Sequence, residues 1–124
     1  MYKILLIGCA GLAGTLARYW LSAWADQQWG GPFPMGTLVV NLTGCLAVGF
    51  LLHATEAKHL SDPAVRQALL VGLLGGFTTF SSFGLQTFSL LRDGEIFLAG
   101  ANILMSNVAG LMLVWTGYAV SRMW

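Results

Sequence analysis

Gly72-Leu73-Leu74-Gly75-Gly76-Phe77-Thr78-Thr79-Phe80-Ser81-Ser82-Phe83-Gly84 is the stretch on which the fold turns. It lies within residues 67–91, which carry no charged side chain. A run of that length exceeds the roughly 20 apolar residues that span a bilayer core. Paired glycines followed by paired β-branched threonines have little preference for helix, so the pattern predicts a membrane helix broken in mid-span. Backbone groups released at that depth must be satisfied by protein, by water or by an ion. Beyond the break, Phe80 and Phe83 are three apart and project on similar sides, with the hydroxyls of Ser81 and Ser82 between them. Taken alone, an aromatic pair at this spacing reads as packing.

The rest of the chain repeats the apolar theme. Of 124 residues 56% are hydrophobic and only 9% charged, where a soluble domain carries roughly 25% charged. Residues 4–17, 27–55 and 96–121 are also free of charge. The first of these gaps is short, but the chain stays apolar through Ala25 apart from Arg18 and hydroxyls. The expected fold is therefore all-α and membrane-embedded in a lipid bilayer, with four transmembrane helices at about 3–24, 35–56, 64–91 and 96–121 in one domain, 1–124. A cleaved signal peptide is the competing reading of the first segment. Arg18, Trp20 and Trp24 stand where a small-residue cleavage site belongs.

Gly30-Gly31-Pro32-Phe33-Pro34 cannot continue a helix, Ser61-Asp62-Pro63 caps the third span, and Arg92-Asp93-Gly94-Glu95 is a polar turn. Lys3, Lys58, Arg66 and Arg122 are expected on one side of the membrane, against Arg92 on the other, with Arg18 added if it reaches that interface. That weak excess favours termini inside, and a bias so small leaves insertion in either orientation open. Many of the sixteen glycines lie within helices, where small residues allow close backbone approach. Trp20, Trp24, Trp29, Tyr118 and Trp124 sit near segment ends as interfacial anchors.

Chemistry is scarce. No nucleophile–base pair, carboxylate pair or metal-ligand cluster occurs, so an enzyme is not expected. A net charge of +1 supplies no basic patch for nucleic acid. Cys9 and Cys45 read as small hydrophobes, and His53 and His59 as structural or solvated. All five acids, Asp26, Glu56, Asp62, Asp93 and Glu95, lie at helix ends or in loops. Proton-coupled pumps and cation pathways place ionisable groups inside the membrane; this interior has no acid. It holds uncharged donors instead: Thr37 and Asn41 four apart on the second span, Asn102 and Ser106 four apart on the fourth. Each pair shares a helix face. Interhelical hydrogen bonding is the bland explanation for both asparagines, and for Asn107.

Gly36-Thr37-Leu38-Val39-Val40-Asn41-Leu42-x-Gly44, taken with Gly75-Gly76-Phe77-Thr78-Thr79-Phe80-Ser81-Ser82-Phe83, resembles the Fluc (CrcB) family of bacterial fluoride channels. The run ending at Arg18 and Tyr19, and Asn102-x-x-x-Ser106-x-x-x-Gly110, fit the same family, so the likeness runs through the whole chain in order. The resemblance implies passive fluoride export across the bacterial plasma (inner) membrane by an antiparallel, dual-topology homodimer with a structural sodium ion at its centre. It implies that Asn41 lines the pore, that Phe80 and Phe83 form an aromatic box, and that Arg18 sits by an aqueous vestibule. Ser81, Ser82 and Ser106 become hydroxyl donors along the path, while Gly75 and Thr78 offer main-chain carbonyls to sodium; Thr37 and Asn102, the uncharged donors read from helical spacing, are counted with the fluoride path. Several relatives carry Glu where this chain has Gln86. The alternatives are a small dual-topology, proton-coupled multidrug exporter, which would need a buried acid, and a non-transporting assembly subunit, which would leave the clustered hydroxyls without a purpose.

Overall fold

The computed structural model describes residues 1–56 and 62–123. Among these residues the regular structure is all helix, with no strand. Helix α1 is Tyr2–Trp29 and α2 is Met35–Glu56. The third apolar segment comprises α3, residues 63–77, and α4, Phe80–Arg92, with Thr78 and Thr79 extended between them. Helix α5 is Ile96–Ser121. Four segments, Tyr2–Trp29, Met35–Glu56, Pro63–Arg92 and Ile96–Ser121, are long and apolar enough to cross a membrane.

Helix α1 continues past the 3–24 span read from the sequence, because Asp26, Gln27 and Gln28 end an apolar run without ending a helix. Gly30 follows its last residue. At the start of α3 the Asp62 carboxylate accepts from the Ala64 amide at 2.8 Å and Pro63 takes the first helical position; Ser61, Lys58, His59 and Trp124 lie outside the described residues. Helix α4 ends in a Schellman turn. Gly94 has φ +82°, its amide returns to the Leu91 carbonyl at 3.1 Å, and the Glu95 amide reaches Leu90 at 2.8 Å. Two stretches, Ala68–Leu73 within α3 and Met105–Ala109 within α5, widen to π-helical turns.

The helices associate by backbone approach. A methyl group on Gly49 of α2 would strike the Val114 carbonyl of α5, and one on Gly117 of α5 would strike the Leu46 carbonyl of α2. Gly14 of α1 meets the Leu73 carbonyl of α3 in the same way. Lipid tails are as apolar as leucine, so such close contact, not exclusion of water, holds spans together. Among the described residues the buried apolar side chains are aliphatic, Ala25, Leu38, Val40, Ala68, Leu74, Leu90 and Ala99, and none is aromatic. Large side chains face outward: Phe80 is 83% exposed and Trp115 76%. At one end His53 Nδ1 lies 3.2 Å from Ser121 Oγ, and Tyr118 donates to Glu56 at 3.0 Å, tying α2 to α5.

Candidate functional site

The site is organised around the two extended threonines, which serve opposite sides of the interruption. Thr78 completes α3: its amide and its hydroxyl both donate to the Leu74 carbonyl, at 2.9 and 3.0 Å. Thr79 begins α4: its Oγ1 accepts from the Ser82 amide at 3.3 Å and donates to Ser82 Oγ at 2.9 Å. That is the N-cap arrangement in which a hydroxyl satisfies one of the free amides at a helix start.

Between these roles the backbone of Thr79 is held by α2. The Asn41 Nδ2 donates to the Thr79 carbonyl at 3.1 Å, and the Asn41 Oδ1 accepts from the Thr79 amide at 2.9 Å. In a continuous helix that amide would return to the Gly75 carbonyl, four residues earlier. Asn41 has taken the place of that carbonyl. Gly44, one turn along α2, faces the Thr78 methyl so closely that a Cβ would clash. Asn41 and Gly44 together therefore seat the extended pair against α2. One of the two Asn41 amide hydrogens remains uncommitted.

Two cavities meet at Thr79. The first, about 410 Å³, is walled by Asn41, Thr78, Thr79, Phe80, Phe83 and Ser106, with Gly75 and Asn107 also on its lining. Among the described residues no Asp, Glu, Lys, Arg or His lines it. The Phe80 and Phe83 rings lie 5.5 Å apart, tilted by 36°, so ring edges as well as faces are presented. The second cavity, about 420 Å³, is polar: Arg18, Ser22, Asp26, Thr37, Ser82 and Gln86 contribute to it, together with Thr79. Among the described residues Arg18 Nε and Gln86 Oε1, both buried there, find no hydrogen-bond partner. A buried polar group left in that condition requires a water or a ligand. Asp26 is engaged, its Oδ1 accepting from the Gly36 amide at 2.7 Å near the start of α2.

The residues singled out from the sequence thus separate into groups. Asn41, Phe80, Phe83, Ser106, Gly75 and Thr78 line the aromatic cavity. Arg18, Thr37 and Ser82 line the polar one. Ser81 is exposed, with its hydroxyl 3.5 Å from Thr79 Oγ1. Asn102 is only 2% exposed, and its Nδ2 donates to Thr87 Oγ1 at 2.9 Å. Asn107 bonds back along its own helix to the Ile103 carbonyl.

Sequence reasoning gave Thr79 a part only in the break itself, and gave no role to Asp26 or Thr87. A signal existed for two of them. The start of α2 needs acceptors for its free amides, and the nearest acid in the chain is Asp26; a buried Asn102 needs an acceptor, and Thr87 is one. Nothing in the sequence marks Thr79 over Thr78.

Four apolar spans, one of them interrupted, with a charge-free aromatic cavity beside a polar one, define a small multi-pass membrane protein. Residues 5–118 match the family described as CrcB-like protein, Camphor Resistance (CrcB). The chain is 40% identical over 122 residues to the fluoride-specific ion channel FluC of Geotalea uraniireducens, covering 98% of each chain. It is 42% identical over 122 residues to the FluC of Methylocella silvestris, covering 97% of this chain and 92% of the relative. The FluC of Solibacter usitatus is 42% identical over 120 residues, at 97% and 98% coverage. The protein belongs to the CrcB family.

Proposed function

We propose that the protein is a fluoride-selective channel through which fluoride leaves the bacterial cytoplasm passively. The observation that carries the reading is the aromatic cavity: uncharged donors and ring edges surround it, and among the described residues no acidic side chain, lysine, arginine or histidine lines it. Fluoride is small and strongly hydrated, so a dry path must replace water with short hydrogen bonds. The free Asn41 amide hydrogen and the Ser106 hydroxyl are donors of that kind, and the positive edges of Phe80 and Phe83 add attraction. A fixed cation in this cavity would trap the anion; its absence keeps binding weak enough for release. Arg18 in the adjoining polar cavity draws anions toward the entrance from a wetter setting. A proton-coupled exporter would need an acid here, and the lining has none.

The interruption at Thr78–Thr79 belongs at mid-membrane in this reading, and two chains assemble antiparallel in the inner membrane with the interruptions facing each other. A shared sodium ion suits that meeting point. The Thr79 amide is given to Asn41, so the Gly75 carbonyl lacks its helical donor. Gly75 is exposed on the single chain, and open space flanks it. The main-chain carbonyls of Gly75 and Thr78 would hold the ion, hard oxygen donors around a hard cation. The ion would compensate carbonyls left unpaired away from water.

Expression in bacteria stripped of their own fluoride exporter tests the function. Growth in fluoride and a fall in cell-associated fluoride are expected. Fluoride retention equal to that of the empty vector, with the protein present in the membrane, would refute the reading.

A further inference from the structure

We propose that Thr87 is a positioning residue for conduction, because it fixes the direction of a buried hydrogen-bond chain that ends on the Ser106 hydroxyl in the aromatic cavity. The inference rests on the fluoride-channel reading above.

The directions follow from proton counting. Thr87 Oγ1 donates its one proton to the Phe83 carbonyl at 2.7 Å. A carbonyl has no proton to offer, so the Thr87 oxygen must act as acceptor toward Asn102. The Asn102 atom at 2.9 Å from it is therefore the amide nitrogen. The Asn102 Oδ1 then faces Ser106, whose Oγ lies 3.5 Å away. An amide oxygen only accepts, so the Ser106 proton rests on Asn102. Thr87 and Asn102 are 7% and 2% exposed, and bulk water does not compete for these bonds.

A threonine bonding one turn back along its own helix is common and means little. Here the same oxygen also receives a bond from a neighbouring helix, and the chain runs on to a cavity wall. Its last link is the weak one, since 3.5 Å is at the outer limit of a hydrogen bond. Ser106 accordingly holds its proton in reserve, loosely placed on Asn102 and free to swing toward an anion. Removing the Thr87 hydroxyl frees the Asn102 amide to rotate and put Nδ2 against Ser106. Ser106 then accepts permanently and turns its own proton into the cavity, so an anion is held more firmly and released more slowly.

The test is Thr87→Val against Thr87→Ser, in fluoride efflux from liposomes at a series of fluoride concentrations. Valine keeps the shape and removes the hydroxyl; serine keeps the hydroxyl. The expected result is an about tenfold fall in maximal flux for Thr87→Val, the effect of one such hydrogen bond, with half-saturation moved to lower fluoride. Thr87→Ser is expected to behave as wild type. Adding Ser106→Ala to Thr87→Val is expected to erase the shift in half-saturation. If valine impairs assembly, judged by size-exclusion and melting, Thr87→Ala in its place removes the hydroxyl with less bulk, and the same flux pattern is required. Wild-type flux and half-saturation in Thr87→Val, or equal loss in Thr87→Val and Thr87→Ser, overturns the role of Thr87 while leaving the channel reading intact. A wild-type protein that conducts no fluoride refutes the channel reading itself.

Discussion

Replacing Asn41 by Asp changes one atom's chemistry and nothing of the side chain's shape. Asn41 now makes two bonds to the Thr79 backbone, one donated at 3.1 Å and one accepted at 2.9 Å. In Asn41→Asp the accepted bond survives, while the donated one becomes an oxygen facing the Thr79 carbonyl. Losing a bond and leaving that carbonyl unpaired costs about 1–3 kcal/mol of stability, enough to lower the melting temperature without abolishing the fold. The cost to an anion in the cavity is larger. Two like charges about 4 Å apart at an effective dielectric of about 20 repel by about 4 kcal/mol, or about a thousandfold in rate. Protonating the new carboxyl restores neutrality and a donor, so flux is expected to recover as pH falls. Fluoride-electrode recordings of liposome efflux at neutral and acidic pH, with melting curves on the same preparations, read both effects. Flux within about threefold of wild type at neutral pH, with the Asp shown to be ionised, would remove Asn41 from the fluoride path.

Phe80→Ile and Phe83→Ile keep apolar bulk and delete the ring edge; each is expected to cut fluoride flux while melting barely moves, and the opposite pattern in paired measurements would reduce the rings to packing. Gly49→Ala forces a methyl against the Val114 carbonyl and is expected to destabilise by about 1–3 kcal/mol, seen as lower melting temperature and poorer yield, whereas an unchanged melting curve would contradict the close approach of α2 and α5. Exchanging sodium for a large organic cation is expected to weaken the dimer and depress fluoride flux together, since an ion bound only in the assembled state stabilises it by mass action. Size-exclusion and efflux at graded sodium check this.

The four spans were legible because eleven charged residues cluster and leave long gaps between them. Helix ends were legible where an element demands special chemistry, as with the Asp62-Pro63 start and the Gly94 turn. The far end of α1 was not, since Gln and Asp beyond an apolar run favour neither helix nor coil strongly. At the site, helical spacing grouped Phe80 with Phe83 and Asn102 with Ser106, and both pairs lie close in the fold. Spacing says which residues share a face, not what that face meets. Only the packing of α2 on the extended pair reveals that Asn41 grips Thr79, and only the packing of α4 on α5 reveals that the Asn102 amide donates to Thr87. Thr87 shows how a residue enters a site through its partner: nothing local distinguishes it from any helical threonine.

Purified protein in liposomes loaded with potassium fluoride offers the sharpest test of fluoride conduction. With potassium made permeable by valinomycin, external fluoride is expected to rise rapidly in proportion to protein, while chloride-loaded liposomes release chloride no faster than protein-free controls. Fluoride release no faster than from protein-free liposomes, or chloride release at a comparable rate, would contradict a fluoride-selective channel.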